Sequence, residues 1–400
     1  MSHDENLQKW IKNVMSKIIE RFGSNVDKAQ YEITESTDIC MSIMYYMCVK
    51  FKNRLTGQNE EHSIILKRPK QLEVWRQMSG SDLQFHNEIL FYQTYARPDD
   101  NFPRCFYVDE KPPVDSVIAL ENVSKRGYCP YSYKYDVPLE YTLAAMREMG
   151  RFHGKGYVMK ELQKEKFFNI VEQFQESRFE KSNETFKLLV DSQAMRAVEY
   201  LRSHNYDAVF CDKMEAVLSN AYDQVLMKIV KPLEPLSTLC HGDFTLNNVL
   251  FKMEDNGRRS AMLIDFAMCM YSTPVVDLST CLGLCCWHEA MKDKFFDVMR
   301  AYHDALKEYL LEAGIWNVEK YSYDVFFDDY KRGALFGYLI ASFFLPKLMG
   351  HSSVDEKQII NMSITEFCEL LKLDGGDEVS KMLADILLYL RDIGCLEQFL

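Results

Sequence analysis

The sequence predicts an α+β protein in two parts, a small N-terminal part carrying a sheet and a larger, mainly helical C-terminal part. Three observations carry that expectation. MSIMYYMCVKF (41–51) and HSIILK (62–67) are rich in Ile, Val and Tyr and flank the turn-like KNRLTGQNEE, which reads as a β-hairpin. From Leu139 onward apolar residues recur at helical spacing, as in LEYTLAAMREMGRFHG, NAYDQVLMKIV and KDKFFDVMRAYHDALKEYLLEA. At 400 residues the chain also exceeds one ordinary domain, which suits two units better than a single barrel.

Along the chain, Leu7, Trp10, Ile11, Val14, Met15, Ile18, Ile19 and Phe22 share one side of a 3.6-period helix that Gly23 can end. Tyr31 to Ser36 reads as a strand ahead of the hairpin. Leu83 to Tyr95 returns to helical spacing, and Ser116 to Val123 to a strand pattern. The expected division is residues 1–125 and 126–400, joined near Glu121 to Tyr128, with no internal repeat and no Gly/Ser linker. The longest apolar run, ALFGYLIASFFL (334–345), has about a dozen residues before Pro346, short of the ~20 needed to cross a bilayer. It reads as a buried helix, so no membrane span is expected.

Hydrophobic residues at 47% and charged residues at 26% belong to a folded globular chain, not a disordered or fibrous one. The 47 basic against 59 acidic residues, a net charge of -12, argue against a protein built to neutralise nucleic-acid phosphates. Twelve Cys in this length are too dilute for a disulfide scaffold, and MSHDENLQKW lacks the basic and apolar regions of a secretory signal. Reduced thiols and a cytoplasmic location are the expectation. Cys281, Cys285 and Cys286 lack paired CxxC spacing and read as packed core thiols, not zinc ligands.

The chemistry concentrates in LCHGDFTLNNVLF (239–251). Asp243 on a loop can accept or orient a hydroxyl proton, while the amide oxygen of Asn248 can bind a hard cation. After the charged turn KMEDNGRRS, the strand AMLID delivers Asp265, and a strand pair would bring Asn248 and Asp265 together. Mg²⁺ takes few protein oxygens, several waters and nucleotide phosphates, so this sparse set suits it. Phosphoryl transfer is the chemistry such parts serve. Transfer from ATP also needs a cation on the phosphates. Lys67 ends the strand SIILK and Glu88 lies in the following helix, in the order of a kinase-like ion pair.

With these residues set out, the chain resembles the ecdysteroid-kinase-like family, a branch of the choline-kinase and aminoglycoside-phosphotransferase group with a protein-kinase-like, bilobal fold. The matching stretches are SIILKRP, FHNEILFY, VIALENVSKRGY, FHGKG, HGDFTLNNVLF, IDF and STPVVDLSTCL, which run in order from about Tyr31 to Leu282. The resemblance implies that Asp243 is the catalytic base, that Asn248 and Asp265 bind Mg²⁺, and that Lys67 contacts nucleotide phosphate with Glu88 behind it. Glu121 would sit in the linker that meets adenine through its backbone. His241 belongs to the same catalytic loop, more as its brace than as a proton carrier. Asp277 is expected to bond back to that loop or to cap the next helix, and His153 to brace the two lobes.

The sequence also departs from the family pattern. ESTDICMS carries Thr37 where the phosphate-covering turn usually has Gly, which puts tight nucleotide cradling in doubt, although Ser42 offers a hydroxyl. Asn122, Thr245 and Ala267 stand where an acidic residue, Trp and Gln are usual. The leading expectation is a small-molecule kinase that uses ATP and Mg²⁺ on a hydroxyl of an ecdysteroid-like or other lipophilic or xenobiotic alcohol. The alternatives are a choline- or ethanolamine-type kinase and a catalytically weak nucleotide-binding pseudokinase. A protein kinase fits poorly, because no APE-like element follows IDF and STPVVDL leaves little room for an activation loop.

Overall fold

The computed structural model describes residues 3–39, 42–132, 137–285, 292–351 and 362–400. It has the α+β architecture expected, an N-terminal antiparallel sheet and a larger helical part. Contacts group the chain into two compact units, Met1–Cys129 with Ile264–Met268, and Pro130–Leu263 with Cys269–Leu400. The short run 264–268, which holds the IDF motif, therefore belongs with the first unit, a return crossing that the linear division at residue 125 did not include.

In the first unit, helix α1 (His3–Arg21) precedes strands β1 (Val26–Ile39), β2 (Ser42–Asn53) and β3 (Asn59–Pro69). After the short helix α2 (Glu73–Ser79) and helix α3 (Ser81–Leu90) come β4 (Cys105–Asp109) and β5 (Val117–Glu121). The five strands form one sheet in the order β1-β2-β3-β5-β4. Successive side chains of a strand point to opposite faces. Met47 and Val49 of β2, Ile64 and Leu66 of β3, and Val117 and Ala119 of β5 accordingly share a buried core with Trp10, Ile11, Val14, Met15 and Ile18 of α1. Each Val, Leu, Ile or Met side chain among them is worth about 1.5 to 3 kcal/mol when buried. The same alternation turns Lys67 to the face away from α1. The expected hairpin, the strand before it and the strand after α3 are all present, whereas β4 and α2 had no counterpart in the sequence reading. Residues 40–41 of the Gly-less segment ESTDICMS lie outside the described residues.

A two-residue strand, β6 (Cys129–Pro130), falls at the boundary of the second unit, whose long helix α4 spans Leu139–Leu162. Strand β7 (Thr238–Cys240) pairs antiparallel with β10 (Met270–Ser272). Strands β8 (Val249–Met253) and β9 (Arg259–Leu263) form an antiparallel hairpin in which Val249 opposes Leu263. Helices Val275–Cys285, Phe295–Glu312 and Tyr323–Leu348 supply much of the remaining core. The apolar run 334–345 lies inside the last of these and is largely buried; Pro346 sits within the final turns without ending the helix. Among the described residues no helix is long and apolar enough to cross a membrane. Cys281 is buried as expected, Cys285 is only half-buried, and Cys286 lies outside the described residues.

Candidate active site

The first unit joins three of the sequence-predicted residues. Lys67 Nζ lies 2.6 Å from Glu88 Oε2 and 2.9 Å from Asp265 Oδ1. The Glu88 side chain is 2% exposed and that of Lys67 13%, while that of Asp265 is 38% exposed. Burial opposes charge on Lys67, but the Asp265 and Glu88 carboxylates outweigh it and raise the ammonium above its ordinary value. Burial, aided by the Asp265 charge and opposed by Lys67, pushes the Glu88 carboxyl up. Two carboxylates share one cation, and the more buried of them carries the strain.

The segment bearing Asp265 is held by α3. Phe266 stacks on Phe91 with ring centroids 3.6 Å apart and packs edge-on to Phe102 at 5.1 Å. Asn87 Nδ2 donates to the carbonyl of Ala267 at 3.2 Å. Asp265 itself has φ 65°, a left-handed conformation that costs a non-glycine residue roughly 1 to 2 kcal/mol. Asn87 and Phe91, missed from sequence, are readable afterwards in FHNEILFY as the polar and aromatic neighbours of Glu88 on one helix.

Two further predicted residues of this unit stand apart from that ion pair. Ser42 is buried, and its hydroxyl has no hydrogen-bond partner among the described residues; neither has the Thr37 hydroxyl on the adjoining strand. Glu121 ends β5, and its N–H donates to the carbonyl of Arg104 at 2.8 Å. Its carboxylate accepts from Arg104 N at 3.2 Å and pairs with Arg126 at 3.3 Å.

The second unit holds the other half of the predicted chemistry, on the loop between β7 and β8. Asp277, in the first turn of helix Val275–Cys285, accepts the N–H of His241 at 2.7 Å and of Gly242 at 2.8 Å. His153 of α4 adds a contact to Asp277 at 3.0 Å and faces the Tyr302 hydroxyl at 2.9 Å. The loop is thus tied to a buried carboxylate, the first of the two parts foreseen for Asp277. His153 braces this unit internally; its predicted place as a brace between lobes is corrected, because the partners Asp277, Tyr302 and Thr238 all belong to the second unit.

His153, Cys240 and Asp277 come close enough together to resemble a metal site. Their donors are already engaged. Asp277 serves two backbone N–H groups, and the Cys240 thiol lies 3.3 Å from the carbonyl of Ser272 and 3.4 Å from that of Thr273. Burial, reinforced by the Asp277 charge, pushes that thiol up, away from the thiolate a metal would need. The group is a hydrogen-bonded brace.

Beyond the brace, His241 is fully buried and its Nδ1 accepts from the Asp243 N–H at 3.3 Å. Asn248 Nδ2 donates to both the carbonyl and Oδ2 of Asp243, at 2.9 and 2.8 Å. Two oxygen acceptors on one side set the amide orientation. The Asn248 carbonyl oxygen is left as the group that can take a hard cation. Thr245, where the family pattern has Trp, is buried in the turn, its N–H donating to the Asp243 carbonyl at 2.8 Å. Asn248 leads directly into β8 at Val249, which opposes Leu263 two residues before Asp265. Hard oxygen donors of this kind, a carboxylate and an amide carbonyl, fit Mg²⁺.

Residues 36–315 match the model of the ecdysteroid kinase-like family. The chain belongs to the ecdysteroid kinase-like family. The match runs past Leu282, where the motifs end, and takes in helix Phe295–Glu312 of this family member. No curated protein matches it. Solved structures similar to it include a microcompartment-associated aminopropanol kinase at 14% identity and TM-score 0.45, covering 96% of this chain and 98% of that one. A GDP complex of wild-type aminoglycoside 2'-phosphotransferase-IIIa is 14% identical at TM-score 0.40, covering 90% and 97%. A mutant of aminoglycoside phosphotransferase APH(4)-Ia, in a ternary complex with ADP and hygromycin B, is 16% identical at TM-score 0.32, covering 82% and 98%. With all three scores below 0.5, family membership rests on the match over residues 36–315.

Proposed function

We propose that this chain is an ATP-dependent small-molecule kinase that moves the γ-phosphoryl group to a hydroxyl of an ecdysteroid-like or other small lipophilic or xenobiotic alcohol. The observation that carries this reading is the meeting of Lys67, Glu88 and Asp265, residues up to 198 positions apart in sequence, around one ammonium group. Family membership supports the same reading.

In this reading Lys67 binds a phosphate oxygen and Glu88 holds the ammonium in place. Asn248 and Asp265 would hold Mg²⁺, which would supply charge neutralisation on the transferring group. Asp243 orients the acceptor hydroxyl and takes its proton as the new P–O bond forms and the bond to the leaving phosphate breaks. His241 and Asp277 keep the Asp243 loop in shape. The unpartnered hydroxyls of Ser42 and Thr37 are donors suited to phosphate oxygens, and Glu121 belongs to the segment that meets the adenine.

The test combines the protein with ATP, Mg²⁺ and a panel of steroids and amino alcohols, and follows acceptor mass by mass spectrometry. Wild-type protein adds a phosphate to at least one acceptor, and Asp243→Asn lowers the rate about 10²- to 10⁴-fold. An Asp243→Asn protein as fast as wild type would remove the base. Wild-type protein that phosphorylates nothing and gains no thermal stability with nucleotide would overturn the reading as a whole.

A further inference from the structure

We propose that Arg178 is a positioning residue of the transfer site, holding the loop through Gly242 and steering the outward oxygen of the Asp243 carboxylate. The inference rests on Asp243 being the base. Arg178 lies 65 positions before Asp243 in FQESRFEKSN, a stretch with no helical or strand periodicity to mark it.

Arg178 Nη2 donates to the carbonyl of Gly242, the residue just before Asp243. Its Nη1 stands 3.9 Å from Asp243 Oδ1. The two oxygens of Asp243 therefore have different neighbours, since Oδ2 accepts from Asn248 at 2.8 Å. At 3.9 Å the guanidinium attracts Oδ1 without closing a hydrogen bond, so that oxygen keeps a lone pair for a hydroxyl proton. Removing the cation would leave the carboxylate anchored at one oxygen only.

The segment that presents Arg178 is rigid for a physical reason. One carboxylate oxygen of Glu176 accepts three consecutive N–H groups, from Ser177, Arg178 and Phe179 at 2.9, 2.7 and 3.0 Å. The carbonyl of Arg178 accepts from Asn183 Nδ2 at 3.1 Å, and two residues on the carbonyl of Glu180 accepts from the Tyr222 hydroxyl at 2.7 Å. Phe179 is buried against Phe336, with ring centroids 5.6 Å apart. Backbone and following side chain are both pinned, and the arginine side chain projects to the catalytic loop from a fixed base.

The experiment measures phosphate transfer to whichever alcohol of the panel the wild type accepts, or ATP hydrolysis with water as acceptor, for Arg178→Ala and Arg178→Lys. Arg178→Ala is expected to lose about 10²-fold in kcat, the scale of a small misplacement of a reacting group. The KM for MgATP and the unfolding temperature should stay near wild type, Arg178→Lys should recover part of the rate, and added guanidinium ion should partly rescue Arg178→Ala. Wild-type kcat in Arg178→Ala would overturn the inference, as would a loss matched by a fall in unfolding temperature with no rescue. Active wild type, inactive Asp243→Asn and unaffected Arg178→Ala would sink the role of Arg178 alone, whereas an inactive wild type would sink it together with the kinase reading.

Discussion

Lys67 is the residue on which the first unit's electrostatics turn. Removing one partner of a buried ion pair leaves an uncompensated charge and typically costs 3 to 5 kcal/mol. Glu88 is the partner that would be stranded, so Lys67→Met should lower stability by roughly that amount, and Lys67→Met with Glu88→Gln should lose clearly less. A double-mutant cycle in urea measures the difference. The pH dependence follows from the same cluster. Because the folded state holds the Glu88 proton more tightly than the unfolded chain does, stability from this group falls as pH rises above its ordinary value of 4.5. Lys67 has the same sign in an alkaline window, since its raised ammonium adds stability that is fully present below its ordinary value of 10.5 and is lost as pH climbs through the higher folded value. Glu88→Gln should flatten the first slope; an unchanged slope in urea melts taken between pH 4.5 and about 7 would contradict the assignment. From sequence, order and spacing named Lys67, Glu88 and Asp265, yet neither showed that Asp265 would reach Lys67 directly, because that contact depends on the chain re-entering the first unit.

At the scale of elements, the FHGKG stretch of α4 shows how a helix sets the position of a catalytic loop. A Cβ added at Gly156 would lie 2.1 Å from the Thr238 hydroxyl at the start of β7, the strand that leads into His241 and Asp243. Gly156→Ala should therefore cost about 1 to 3 kcal/mol by overpacking and slow turnover, and adding Thr238→Ala should restore part of both; melting temperature and kcat of the two variants check it. Asp277→Ala would strand the N–H groups of His241 and Gly242 at about 1 to 3 kcal/mol each, and hydrogen exchange at those two amides should accelerate. Helix and hairpin periodicity made α1, β2, β3, α3 and α4 readable, because each repeats its apolar positions over several turns or pairs. Strand β4 at five residues and α2 at seven are too short for either period to be distinguished. The FQESRFEKSN segment has no period at all, since its order comes from one carboxylate accepting neighbouring backbone donors.

For the molecule as a whole, nucleotide should stabilise the folded state by mass action, by about 2.7 kcal/mol at a hundredfold excess over Kd. Unfolding followed with MgATP should show a rise of several degrees for wild type and little for Asp265→Asn; an equal rise in both would remove Asp265 from the metal set. Composition argued against a protein built to neutralise nucleic-acid phosphates and favoured a folded globular chain, while the ordered motifs of the sequence led to the ecdysteroid kinase-like family. Those conclusions needed only residue types and spacings, which any local pattern exposes. The bond of Asp277 to the catalytic loop was foreseen, whereas the place of His153 within the second unit, the membership of residues 264–268 in the first unit, and the approach of Arg178 to Asp243 were decided by tertiary structure alone. Each of them joins residues whose separation in sequence bears no relation to a helical or strand period, so only the packed chain brings their polar atoms within reach of one another.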